Sequence, residues 1–275
     1  MPFTTPPQDA GQDPAPLVCS VWANFQTARS NTIFGEHFEH MAGCDMTCYD
    51  VGGGGARGVF FHPGAFMQAN HEMAARAVRD IRHAVAGATS GDTAGLSQAA
   101  LSKESRSELG AFTRALPPFA VLDVYAGVGS LGLSVAPPGS RLVCVEVSPA
   151  ALPPFQRSRP GVAEKAGVDA SLVVCPAAEQ LGPLVQGGAR GPGEPWGTVL
   201  VDPPRKGLDR TSLAALCDAR VAKGGVLAYL SCGFPALERD MAALLSHGWR
   251  VRSAQGYLFF PGADHLETLV VFDHV

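Results

Sequence analysis

The chain has 275 residues, 46% of them hydrophobic, with a net charge of −4 and 7 cysteines. That length supports one sizeable α/β domain with a small appendage, and no apolar run approaches the ~18 residues of a membrane span, so no membrane partner is expected. An odd number of irregularly spaced cysteines fits a reducing, intracellular compartment, cytoplasmic or organellar, better than a disulfide framework.

The acidic total does not favour a nucleic-acid binder. Affinity for phosphates rests on local clusters, however, and Arg205, Lys206 and Arg210 form a candidate. Residues 1–16 carry Pro and Asp but no basic start and no apolar core, so they read as a loose tail and not a signal peptide. Residues 17–62 read as a small β-rich subdomain, with LVCSVWANF (17–25), TIFGEHFEH (32–40) and GVFFH (58–62) as short strands of one small sheet. The glycine run 52–55 is followed by no Lys-Ser/Thr pair and reads as a hairpin tip, not a phosphate loop. Cys44 and Cys48 have no second pair nearby to complete a metal site.

The main domain is expected over 63–275. Pro63 precedes a helix in which Met73, Ala74, Ala77 and Ile81 recur at near-helical spacing. Gln68 and Asn70 stand at its start, where cap or turn roles suffice for both. Residues 89–110 are polar and aperiodic and read as an inserted surface loop.

Residues 120–134, AVLDVYAGVGSLGLS, organise the rest: strand, tight glycine turn, helix. Gly127 and Gly129 let the backbone bend sharply and let a ligand approach it. Asp123, at the strand's carboxyl end, would repel a pyrophosphate and attract an ammonium or sulfonium group, which points to S-adenosyl-L-methionine and away from a dinucleotide. The alternative is a glycine turn that binds nothing. The next strand, RLVCVEV (141–147), carries Glu146 at its tip, where a carboxylate can accept hydrogen bonds from two ribose hydroxyls or simply be solvated. Strands follow at SLVVC (171–175), in TVLVDPPRK (198–206) with Asp202-Pro203-Pro204 at its carboxyl edge, and at VLAYLSC (226–232), and a helix over 234–247. Asp202, at the end of its strand, is held by Pro203 and Pro204, which remove two donors and stiffen the loop. Two last strands joined by PGADHL are antiparallel neighbours. The fold class is α/β: a Rossmann-like, doubly wound sheet of about seven strands with an antiparallel C-terminal hairpin and a small N-terminal β appendage.

In order, FMQAN, LDVYAGVGSLGL, VEVSPAA, LVDPPRKGL, YLSCG and FPGADHLETLVVF resemble the RNA 5-methyluridine methyltransferase family, a class of S-adenosyl-L-methionine-dependent enzymes. The resemblance implies cofactor contacts from Gln68, Tyr125, Ser130, Glu146 and Asp202, a nucleophile at Cys232 and a general base at Glu267. It implies methyl transfer to carbon 5 of a uridine in tRNA or rRNA, by an enzyme expected to act as a monomer. Two departures stand out. The family's usual Ser-Cys-Asn is Ser231-Cys232-Gly233, and residues 1–62 match neither the oligonucleotide-binding barrel nor the four-cysteine iron–sulfur motif that many members carry. A non-catalytic RNA-binding relative and a methyltransferase with another substrate are the competing readings.

Overall fold

The computed structural model describes residues 18–27, 34–35, 37–49, 58–90, 119–191, 194–218, 221 and 225–274. The expected tail, the glycine run 52–55 and residues 91–110 of the expected loop lie outside them. The N-terminal part is two separate antiparallel ribbons where one small sheet was expected: β1 (Ser20–Phe25) pairs with β2 (His37–Gly43), and β3 (Thr47–Tyr49) with β4 (Val59–Phe61). The second ribbon is pinned to the main domain, since the Phe60 N–H donates to Ser158 Oγ at 2.8 Å and the Arg157 guanidinium sits 5.0 Å over the Phe60 ring. Helix α1 (His71–Ser90) begins later than Pro63 suggested and runs through Thr89 and Ser90. Asn70 caps it by accepting the Met73 N–H at 3.1 Å.

Four βαβ steps then build the sheet: β5 (Val121–Val124), α2 (Ser130–Val135), β6 (Arg141–Glu146), α3 (Leu152–Val162), β7 (Asp169–Val174), α4 (Ala177–Gly187), β8 (Thr198–Val201), α5 (Arg210–Leu216) and β9 (Val226–Ser231), followed by α6 (Phe234–Ser246). The hairpin β10 (Trp249–Tyr257) and β11 (Glu267–His274) completes it. Strand order is β10-β11-β9-β8-β5-β6-β7, with β11 inserted antiparallel between β9 and β10. Because β11 lies inside the sheet it is buried almost throughout, whereas the edge strand β10 is mostly exposed between Trp249 and Tyr257, with Arg250 open to solvent and Arg252 held by Asp273 and the Ala84 carbonyl.

Side-chain alternation divides the core into two layers. Val121, Leu142, Cys144, Leu200, Leu230 and Leu269 pack on one face with α1, α2 and α3. Leu122, Val143, Val199, Leu227, Tyr229 and Val270 pack on the other, with α4, α5 and α6. Each fully buried aliphatic side chain is worth about 1.5–3 kcal/mol. Chain order reverses at β5, which has β6 on one side and β8 on the other. The crevice beyond the carboxyl ends of these strands is where an open α/β sheet takes its ligand.

Candidate active site

Continuing the alternation past the strand ends places five acidic or thiol side chains on one face. Asp123 follows Val121, Glu146 follows Cys144, Asp202 follows Leu200 and Cys232 follows Leu230, each by two residues, while Glu267 precedes Leu269 by two. Because β11 runs antiparallel, its first residue meets the carboxyl ends of the parallel strands. Thr268 is the ladder partner of Ser231. One step further, Glu267 therefore stands opposite Cys232, at the spacing of a cross-strand pair, about 4.5–5.5 Å between Cβ atoms.

These groups sense one another. Asp202 is pushed up to about 8, first by burial and then by the charge of Glu267. Asp123 is raised to about 7, chiefly by burial. Burial raises Glu267 and Arg205 opposes the rise. The Cys232 thiol is pushed up by burial and by the charges of Glu267 and Asp202, with Arg205 again acting in the opposite sense. Two buried carboxylate oxygens, Asp123 Oδ1 and Glu267 Oε2, have no hydrogen-bond partner. A cluster of three carboxylates in a crevice, with orphaned oxygens and raised proton affinity, is poised for a cationic ligand.

The glycine turn is built by the same acids. Asp123 Oδ2 accepts the Gly132 N–H at 2.8 Å. A Cβ at Gly132 would lie 2.7 Å from Leu142 Cδ1 and 2.8 Å from Asp123 Oδ2, so only glycine lets α2 sit this close to β5. Glu146 accepts the Gly127 N–H at 2.9 Å and the Ser148 N–H at 2.8 Å. Glu146 is thus part of the loop's scaffold and not merely a solvated acid. Gly127 has φ 54° and faces open space, with only the Phe66 carbonyl near, whereas a Cβ at Gly129 would strike the Phe155 ring at 2.8 Å.

Gln68 arrives from the segment before α1 and donates to Asp202 Oδ2 at 3.1 Å. Asn70 clamps the β10–β11 loop through the Phe259 carbonyl at 3.0 Å. Met67, Gln68, His71, Ser130 and Phe259 line a small recess on the same face, so Ser130 lies beside Gln68. Tyr125 is the exception among the expected site residues. Its φ of 63° breaks the alternation, and its side chain packs against the opposite layer, with the hydroxyl donating to Asp209 Oδ2 at 3.1 Å. At the nucleophile's turn, Ser231 Oγ accepts the Gly233 N–H at 3.2 Å, and a side chain at Gly233 would run into the Arg205 carbonyl.

A protein named as an uncharacterized RNA methyltransferase in Protochlamydia amoebophila is 28% identical over 254 residues, 92% of this chain and 55% of that protein. One so named in Staphylococcus aureus is 32% identical over 153 residues, 56% of this chain and 31% of that protein. The tRNA (uracil-54, C5)-methyltransferase of Pyrococcus abyssi, in complex with S-adenosyl-L-homocysteine, superposes with a TM-score of 0.63 and 22% identity, over 93% of this chain and 51% of that one. The fold is a methyltransferase fold. The chain is a homologue of proteins named RNA methyltransferases and spans about half, or less, of the length of these relatives. No family model matches the chain.

Among the described residues of this methyltransferase fold, no helix is long and apolar enough to cross a membrane, and no cluster of His, Cys, Asp and Glu could hold a metal ion. Asp209, which was not among the expected site residues, caps α5 through the Ser212 N–H at 2.8 Å while accepting the Tyr125 hydroxyl. A Leu-Asp-Arg-Thr-Ser start was the available signal.

Proposed function

We propose that this chain is an S-adenosyl-L-methionine-dependent RNA methyltransferase acting on carbon 5 of a uridine. The observation that carries the reading is the opposition of Cys232 and Glu267 across β9 and β11, beside the acidic crevice formed by Asp123, Glu146 and Asp202. Bound S-adenosyl-L-methionine would supply an electrophilic methyl group, and its ammonium and sulfonium charges suit the orphaned carboxylates. Gln68, Asp202 and the backbone of 125–129 would hold it, with Glu146 near the ribose and Ser130 beside the glycine turn.

Uracil carbon 5 is a weak nucleophile. Cys232 Sγ adds as a thiolate to carbon 6, forming a carbon–sulfur bond and shifting the ring electrons to an enolate nucleophilic at carbon 5. After carbon 5 has been methylated, the Glu267 carboxylate takes the carbon 5 proton. The electron pair restores the 5,6 double bond and the sulfur leaves as thiolate. Burial and the neighbouring carboxylates disfavour that thiolate, and Arg205 is a cation that opposes them in part. The base must reach the crevice unstacked or flipped out of a helix. The similarity to the Pyrococcus abyssi enzyme supports uracil over other targets, and the relatives' names support RNA.

The test uses total RNA from cells lacking the protein, with nucleoside mass spectrometry for 5-methyluridine. Wild type should restore the modification. Glu267→Gln should instead accumulate a protein–RNA species stable to denaturing electrophoresis, and Cys232→Ala should give neither product nor adduct. Full activity in Cys232→Ala would refute the carbon 5 mechanism.

A further inference from the structure

The loop 202–209 leaves the site face at Asp202 and crosses the sheet edge to the opposite layer, where Leu208 is buried. There it is gripped by two neighbours on α6. Asp240 is wholly buried. Its Oδ2 accepts the Leu208 N–H and the Tyr229 hydroxyl, both at 2.8 Å. Its Oδ1 accepts Arg239 Nη2 at 2.6 Å and Nε at 2.9 Å. Arg239 Nη2 in turn donates to the Lys206 and Leu208 carbonyls at 3.1 and 3.2 Å. Between them Gly207 turns with φ 76°, and a Cβ there would lie 2.6 Å from Asp240 Oδ2 and 2.7 Å from Arg239 Nη2. The loop backbone is therefore seated directly on the ion pair.

The position of that seat in the chain gives it significance. Helix α6 starts immediately after Cys232-Gly233, and the residue preceding the gripped backbone is Arg205, whose carbonyl abuts Gly233. One helix thus continues from the thiol's turn and holds the loop that carries Arg205, whose carbonyl lies against Gly233 and whose charge opposes the rise in proton affinity at Cys232 and Glu267. The Arg239 side chain remains 55% exposed. So open a guanidinium contributes little as core, and its three loop and carboxylate partners define its work.

We infer that Arg239 and Asp240 are positioning residues: through the backbone of 206–208 they set where Arg205 stands relative to Cys232 and Glu267. The inference goes beyond the methyl-transfer reading and rests only on Arg205 acting on the Cys232 thiol, so it can fail or stand separately from the identity of the substrate.

The experiment needs neither RNA nor cofactor. Iodoacetamide modification of Cys232 is followed by mass spectrometry of its peptide as a function of pH, with thermal melting to verify folding. Arg205→Met measures the effect of losing the cation. Arg239→Met should raise the midpoint in the same direction by about half a pH unit, which is about threefold slower modification at pH 8. Gly207→Ala pushes the loop off the pair without altering any charge, and should reproduce the shift. Arg239→Lys, which can still reach a carbonyl, should recover part of it. A midpoint equal to wild type in both Arg239→Met and Gly207→Ala, whatever their melting temperatures, overturns the inference. So does an unshifted Arg205→Met, because the loop would then have no charge to position.

Discussion

A cation held among Asp123, Asp202 and Glu267 must displace protons, so affinity for the cofactor should depend steeply on pH. In the ligand-free protein Asp202 stands at about 8 and Asp123 at about 7, against an ordinary 3.8 for each. At pH 6 the Asp202 carboxyl is ionised in only about one molecule in a hundred. Binding a sulfonium or ammonium against the ionised form then costs about 2.7 kcal/mol for deprotonation, at about 1.4 kcal/mol per unit. At pH 8 half the molecules are ionised, so affinity should rise roughly fiftyfold between pH 6 and pH 8 from Asp202 alone. The folded-state values are raised, so the folded protein holds protons that the unfolded chain releases. Stability of the ligand-free protein should accordingly fall as pH rises from about 4 to 8. Calorimetric titration with S-adenosylhomocysteine, which keeps the ammonium group, in buffers of different ionisation enthalpy should register proton release. Asp202→Asn should flatten the pH dependence. Affinity constant from pH 6 to 8, with heats independent of buffer, would refute the carboxylate argument.

Three further outcomes follow from packing and hydrogen bonding. Gly132→Ala forces a methyl against Leu142 and Asp123 and should lower unfolding stability by about 1–3 kcal/mol in urea titration, with weakened cofactor binding. Asn70→Ala removes the α1 cap and the Phe259 clamp together, and should cost about 1–2 kcal/mol, seen as a lower melting temperature. Gly233→Asn, which restores the residue usual in the resembled family, should reduce methyl transfer, because the Arg205 carbonyl occupies the space of any side chain there. Higher activity in Gly233→Asn would show that the loop gives way freely.

Several parts of the fold were readable locally. Alternating and continuous apolar runs marked every strand of the large sheet, and AVLDVYAGVGSLGLS marked its centre, but the edge strand β10 starts two residues before and ends three residues before the run VRSAQGYLFF that announced it. Helices α3 and α4 were not readable, because Pro153, Pro154 and Pro160 in one and Gly182 and Pro183 in the other look like breakers. In α3 the first two prolines occupy the opening turn, where no N–H is needed, and Pro154, Phe155, Ser158 and Val162 still form a buried face. The two N-terminal ribbons were merged into one sheet because pairing partners are not a local property.

The site divides along the same line. Position at a strand's carboxyl end nominated Asp123, Glu146 and Asp202, whereas Cys232, Glu267 and Gln68 were nominated by the resemblance to the methyluridine methyltransferase family. The nominations did not include their mutual arrangement. That Glu267 opposes Cys232 depends on β11 entering the sheet beside β9, a choice made by burial of its apolar run at 269–272 between two neighbours. That Tyr125 turns away depends on a single positive φ, which no periodic pattern encodes. The grip of Arg239 and Asp240 on residues 206–208 joins groups some thirty residues apart, through a backbone N–H and backbone carbonyls that carry no sequence signal. Strand-end chemistry is written in residue identity because it follows from the period of two, whereas contacts between a loop and a distant helix exist only once the layers have packed.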